Sequence, residues 1–226
     1  MKIGVIILAR ANYGRCPDKG LFQLQGKTIL EHVITKAQTL NVDHVIVSTT
    51  YNPKDKPIRE IIVKTNCDVS LGEPDDRTSR ICQAITDYDL DYIIYMSPAQ
   101  PFFDVEYMNL LIKAYNDNPG YELYRNGAYH HGFVMPIFKA TIPFNGESPD
   151  EEVFYAGIKK VYFQFKVYDP AVKNRYLFNC NIAYKIQGEN HRRICEYLGH
   201  FPENYEEVTD ALLGIELQRG QNETRL

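Results

Sequence analysis

The chain has 226 residues, 44% of them hydrophobic and 24% charged, with a formal net charge of −4. That length and balance suit one large globular domain with a sizeable core. The slightly acidic total offers no general attraction to nucleic acid or to an anionic membrane, so any bound anion has to be held by a local cluster of cations.

The predicted elements alternate through the first half. Ile3–Leu8 is a short apolar run that reads as a buried strand. A polar, glycine-containing loop follows and closes on Gly26 and Lys27. Thr28–Leu40 puts Ile29, Leu30, Val33, Ile34 and Ala37 on one helical face. His44–Thr50 is a β-branched strand, Lys54–Thr65 a helix with Pro57 in its first turn, and Asp68–Leu71 a short strand. After a turn over Gly72–Asp76, Arg77–Tyr88 is an amphipathic helix with Ile81, Ala84 and Ile85 inward. Asp91–Met96 is a buried strand, and Asp104 is placed to cap a helix over Val105–Asn116. Strands separated by helices of this size imply βαβ units and a mostly parallel sheet. The second half is less regular. Strands are expected at Tyr121–Tyr124, Gly132–Phe138, Val161–Tyr168 and Tyr176–Tyr184, a loop at Pro143–Asp150, and helices at Asn190–Leu198 and Tyr205–Leu217. Gly220–Leu226 reads as a frayed tail.

No stretch approaches the roughly 20 apolar residues of a membrane span, and the opening run is too short for a signal-peptide core. The five cysteines, Cys16, Cys67, Cys82, Cys180 and Cys195, form no CxxC pair and read as reduced thiols of a cytoplasmic protein.

The chemistry concentrates in the loop after the first strand, which carries Arg10, Arg15 and Lys19. Two arginines and a lysine can neutralise a polyphosphate from different sides, and Gly14 lets the backbone come close. The loop sits where an α/β sheet presents helix N-termini and backbone N–H groups to ligands. It is neither a GxxxxGK[ST] nor a GxGxxG loop.

Arg10, then Gly14-Arg15-Cys-Pro17-Asp-Lys19-Gly-Leu21, then Gly26-Lys27-Thr-Ile-Leu30, resembles the opening of the cytidylyltransferases of the spore-coat polysaccharide type, relatives of the CMP-Kdo and CMP-sialic acid synthetases. The likeness continues through Ser48-Thr49-Thr50, Asn52-Pro53-Lys-Asp55-Lys-Pro57, Gly72 to Arg80 with Asp75, Asp76 and Arg80, and Pro101 to Asp104. It is good over Ile3–Tyr115 and looser in Gly132 and the closing LGHFPENYEEVTDALL. The resemblance implies a single Rossmann-like nucleotidyltransferase domain, a mainly parallel sheet with helices on both faces. A nucleotide-binding half would span about 1–120, and a smaller sugar-binding and dimerisation lobe about 121–226. It implies a homodimer that transfers a cytidylyl group from CTP to an acidic or amino sugar and releases pyrophosphate. Arg10, Arg15 and Lys19 would be the catalytic cations on the β- and γ-phosphates, since such catalysis is mostly positioning and charge neutralisation. Ala9, Gly14 and Ser97 would line the nucleotide. Arg80 would lie near base or ribose, with Asp76 orienting it.

The chain departs from the family at the metal. The family's Mg2+-binding Asp after the fourth strand falls on Ala99, in SPAQPFFD, and a second falls on Asn181, in FNCNIAYK. Mg2+ prefers carboxylate oxygens and substrate phosphates. Three alternatives follow: Asp104, Gln100, Asp75 or Asp76 stands in, a different substrate is turned over without such an ion, or the chain is a homologue that binds a nucleotide or sugar nucleotide without transferring it.

Outside the motif, His130 and His131 are adjacent, so on a regular strand they face opposite ways and one can reach a sugar pocket. Arg125 could meet a substrate carboxylate. His191-Arg192-Arg193 reads as the exposed face of a helix. No GxSxG elbow occurs, and Asp89-Leu90-Asp91 lies on the wrong end of its strand for a glycosyltransferase metal motif.

Overall fold

In the computed structural model, which describes residues 1–11, 16–126, 135–141, 160–163 and 185–223, the first apolar run is an inner strand, third in order, of a sheet to which the described residues contribute seven strands. This strand, β1 (Ile3–Leu8), is buried at every position. It pairs in parallel with β4 (His44–Thr50) on one side and β6 (Tyr92–Met96) on the other. Beyond β4 lies β5 (Asp68–Gly72), also parallel. Beyond β6 come β8 (Ile137–Lys139), β7 (Leu123–Asn126) and β9 (Lys160–Phe163). The pairings β6–β8 and β7–β8 are antiparallel, whereas β7–β9 is parallel.

Period-two alternation in β1 divides the core between two faces. Val5 and Ile7 pack with α1 (Ile29–Ala37), α2 (Lys56–Thr65) and α4 (Val105–Asp117). The same layer receives Ile194 and Cys195 of α5 (Lys185–Leu198) and Val208 and Ala211 of α6 (Tyr205–Glu223). Ile6 and Leu8 face the other way, onto Ile81 and Ala84 of α3 (Arg77–Tyr88). The chain therefore moves outward from β1 to β5 and returns to the opposite side of β1 at β6. The crevice beyond the carboxyl ends of β1 and β6 is the switch point where open α/β sheets bind ligands.

Several boundaries differ from the sequence reading. The first helix begins at Ile29 because Thr28 is its N-cap, closing a capping box with Glu31, and it ends at Ala37. The stretch read as loop contains a hairpin, β2 (Gln23–Leu24) with β3 (Lys27–Thr28). Its two turn residues, Gln25 (φ 47°) and Gly26 (φ 76°), are both left-handed, as a type I′ turn requires. Tyr121 is outside β7: its N–H donates to the Tyr124 hydroxyl and its carbonyl accepts from the Tyr92 hydroxyl, so its backbone serves side chains rather than a ladder. The tail expected to fray from Gly220 is helical through Glu223. Of the predicted Gly132–Phe138 strand, the part seen begins at Ile137, and of Val161–Tyr168 the part seen ends at Phe163. Pro143–Asp150 and Tyr176–Tyr184 lie outside the described residues.

Candidate functional site

Five segments meet at the carboxyl ends of the parallel strands. The first continues β1. The Ala9 N–H donates to the Ser48 carbonyl at 3.0 Å, so β1–β4 pairing runs one residue into the loop, and Ala9 is fully buried. Arg10 follows. One of its terminal nitrogens donates to the Pro74 carbonyl, and the other lies 3.5 Å from Asp75 Oδ1. Its side chain is 15% exposed, whereas that of Asp75 is 97% exposed. Next, the Ala11 N–H donates to Asp55 Oδ1 at 2.7 Å.

The second segment is the turn after β5. Arg80, only 3% exposed, donates from one terminal nitrogen to the Glu73 and Pro74 carbonyls, each at 2.7 Å. Arg10 and Arg80 thus converge on the same carbonyl oxygen. Gly72 makes the approach possible: a Cβ there would stand 2.9 Å from Arg80 Cγ. Asp76 caps α3, accepting from the Ser79 N–H at 2.7 Å, so it fixes the helix that carries Arg80.

The third segment is the one-turn 3-10 helix Lys19–Leu21, which Asp18 precedes with a left-handed φ of 56°. Lys19 is half-buried and Gly20 is buried. A Cβ on Gly20 would lie 3.5 Å from Pro98 Cβ, so this cationic turn rests against the loop after β6. That loop is the fourth segment. The Ser97 N–H donates to Gln100 Oε1 at 2.8 Å, and the Ala99 N–H donates to Ser97 Oγ at 3.3 Å. Phe102 and Phe103 anchor it in the core, and Asp104, 2% exposed, caps α4 through the Tyr107 N–H at 2.9 Å. The fifth segment is the end of β4 with its one-turn 3-10 helix Pro53–Asp55, the source of the Asp55 carboxylate.

Gly14, Arg15, His130, His131 and Asn181 lie outside the described residues. Arg125 is a half-buried residue of β7. The basic stretch of α5 divides: Arg192 and Arg193 are exposed, whereas His191 is fully buried and stacked on Phe102 at 4.5 Å between ring centres. His191 therefore does not belong to an exposed face. Two thiols are unsuited to nucleophilic chemistry, since burial pushes Cys67 and Cys195 up to about 12.

Asp55 was not singled out for a role by the sequence, where it is one of several charges in a turn. Its place in the site follows from contacts to residues distant in the chain.

A family profile described as Cytidylyltransferase matches residues 4–152. The chain belongs to the cytidylyltransferase family. It is similar to a 3-deoxy-manno-octulosonate cytidylyltransferase of Nitrosococcus oceani, with 35% identity over 91 residues, 39% of this chain and 34% of that protein. Matches to two further proteins of that description cover 48% and 59% of their lengths, so the chain spans about half the length of the curated relatives it matches. Among solved structures, a cytidylyltransferase from Leptospira borgpetersenii superposes with a TM-score of 0.79 at 20% identity, over 97% of this chain and 96% of that one. A CMP:2-keto-3-deoxy-manno-octonic acid synthetase complexed with CTP superposes with a TM-score of 0.59 at 16% identity, over 78% of this chain and 98% of that one. At these identities the structures establish a shared nucleotidyltransferase fold.

The divalent ion that the resemblance implies does not fit the described residues of this cytidylyltransferase-family chain. Ala99 is fully buried and carries no oxygen ligand on its side chain. Among the described residues no group of three or more His, Cys, Asp or Glu side chains is gathered to hold a metal. Of the side chains that could stand in, Asp76 and Asp104 each spend an oxygen on capping a helix, the Gln100 amide oxygen accepts from the Ser97 N–H, and Asp75 lies 3.5 Å from Arg10.

Proposed function

We propose that the protein transfers a cytidylyl group from CTP to a hydroxyl of an acidic or amino sugar, releasing pyrophosphate, in the biosynthesis of a surface polysaccharide. The observation that supports this reading is the convergence of Arg10 and Arg80 on the Pro74 carbonyl beyond the parallel strand ends, with the Lys19 turn against the loop after β6. The names of the relatives support CTP as the nucleotide and a sugar acid as the acceptor class. The resemblance of the Arg10–Leu30 and Gly72–Arg80 motifs supports placing it with the spore-coat and CMP-sialic acid branch.

In this reaction the sugar oxygen attacks the α-phosphorus. The bond from that phosphorus to the bridging oxygen of the β-phosphate breaks, and the hydroxyl proton passes to solvent. Arg10, Arg15 and Lys19 hold the β- and γ-phosphates and stabilise the charge of the leaving pyrophosphate. A guanidinium can present two parallel donors to phosphate oxygens, and a lysine supplies a compact charge. Arg80, which meets Arg10 at the Pro74 carbonyl, lies near the base or ribose. Ala9, Gly14 and Ser97 bound the nucleotide, and Asp76 sets Arg80 through α3. Residues from about 121 onward form the sugar-binding and dimerisation lobe.

Pyrophosphate release from CTP is the test, measured over a panel of acidic and amino sugars with Mg2+ and Mn2+ titrated. Product formation with CTP and one sugar class supports the reading. If neither CTP nor any other nucleoside triphosphate raises the melting temperature, the reading fails, because a ligand of the native state must stabilise it.

The second reading is a non-catalytic nucleotide- or sugar-nucleotide-binding homologue. Ala99, and the lack of a carboxylate cluster among the described residues, favour it. Here CTP binds without pyrophosphate release, and Ala99→Asp creates metal-dependent turnover where the parent has none.

A further inference from the structure

The buried carboxylate of Asp55 is not used by the chemistry described above, and its hydrogen bonds are unusual for its position. Asp55 stands at the N-cap of α2, where an Asp ordinarily accepts from the helix's free N–H groups, yet it makes no side-chain cap bond. It directs one oxygen to the Ala11 N–H at 2.7 Å and the other to the Thr50 hydroxyl. The residue is 2% exposed. Burying a carboxylate is costly unless its hydrogen bonds are satisfied, so its partners indicate what the charge is kept for.

The two partners are held differently. Thr50 is fixed without Asp55: it pairs with Gly72 across β4–β5, and Arg59 donates to the carbonyls of Thr50 and Asn52 at 2.8 and 3.0 Å. Ala11 is the residue after Arg10, beyond the last ladder bond at Ala9. Asp55 therefore ties a rigid strand end to the point where the cationic loop leaves the sheet.

We infer that Asp55 is a positioning residue for Arg10, fixing the backbone on which that guanidinium reaches the Pro74 carbonyl and a bound nucleotide's phosphates. This rests on the proposed nucleotide site. It adds a residue that acts through Arg10 without touching the ligand.

The experiment is a double-mutant cycle in the full chain, reading CTP affinity by calorimetry and the fold by thermal melting. Asp55→Ala and Arg10→Ala should each weaken CTP binding by about tenfold or more, as small misplacements of binding groups do. Introduced together, they should cost no more than Arg10→Ala alone, within about twofold. Asp55→Asn should recover most of the loss, because its amide oxygen can still accept from Ala11 while its NH2 donates to Thr50. If Asp55→Ala does not fold, Asp55→Ser, too short to reach Ala11, takes its place in the cycle. Losses that simply add, or an Asp55→Ala or Asp55→Ser variant that binds CTP like the parent, overturn the inference and leave the nucleotide site standing. A parent protein that binds no nucleoside triphosphate overturns both.

Discussion

Replacing Glu31 by Gln tests how the helix beneath the candidate site is anchored. Glu31 is the third residue of α1, with its side chain 8% exposed. Its carboxylate accepts from the Thr28 N–H at 2.6 Å, the Thr28 hydroxyl at 2.7 Å and the Lys64 ammonium at 2.5 Å. Burial by itself pushes the carboxyl up, but Lys64 and the two Thr28 donors more than offset it and hold the group at about 2, against 4.5 in a free chain. That difference corresponds to about 3 kcal/mol at neutral pH. The Lys64 side chain is 70% exposed and screened by solvent, so about 2 kcal/mol is the better figure. The folded pKa is depressed, so the stabilisation is complete above 4.5 and is lost as the pH falls towards 2. Urea unfolding of parent and Glu31→Gln at pH 7 and at about pH 3.5 should show a deficit of about 2 kcal/mol at neutral pH that shrinks by roughly half in acid. A deficit that stays constant with pH, or one below about 0.5 kcal/mol at pH 7, would refute the argument that the charge anchors the cap.

Other outcomes follow from the same contacts. His32 is held below its ordinary value of 6.5, first by burial and then by the charges of Lys27 and Lys36, while it stacks on Phe201 at 3.8 Å. The unfolded chain therefore takes up that proton more readily, and stability should fall as the pH drops below about 6.5; His32→Gln should flatten this part of the curve in urea titrations. Gly72→Ala should displace Arg80, 2.9 Å from the new Cβ, and abolish most of the CTP-induced rise in melting temperature. Asp18→Val should destabilise the protein by about 1–2 kcal/mol in denaturant melts, because a β-branched residue is strained at a left-handed φ.

The parallel half of the fold was legible because its burial is periodic. His44–Thr50 and Arg77–Tyr88 have the bounds their sequence patterns imply. The β2–β3 hairpin was not legible, since two-residue strands are too short to show alternation and Gln25 is not a usual left-handed turn residue. His191 was hidden by its two basic neighbours; at helical spacing it shares a side with Ile194 and Cys195, both buried. The cationic loop stood out as composition, but the meeting of Arg10 with the Pro74 carbonyl, 64 residues away, depends on how β1 and β5 are arranged in the sheet. The carboxylate of Asp55 was equally unreadable, because nothing local distinguishes an aspartate that caps its own helix from one that reaches across to a neighbouring loop.

Among the described residues β5 forms an outer border of the sheet, where unoccupied amides would invite a foreign strand. At Val69, 41% exposed, both outward groups are already engaged: the N–H donates to the phenol of Tyr88 at 3.1 Å, and that same phenol donates to the carbonyl at 2.9 Å. One hydroxyl thus plugs a gap in the molecule's margin and guards this flank against stacking with other chains.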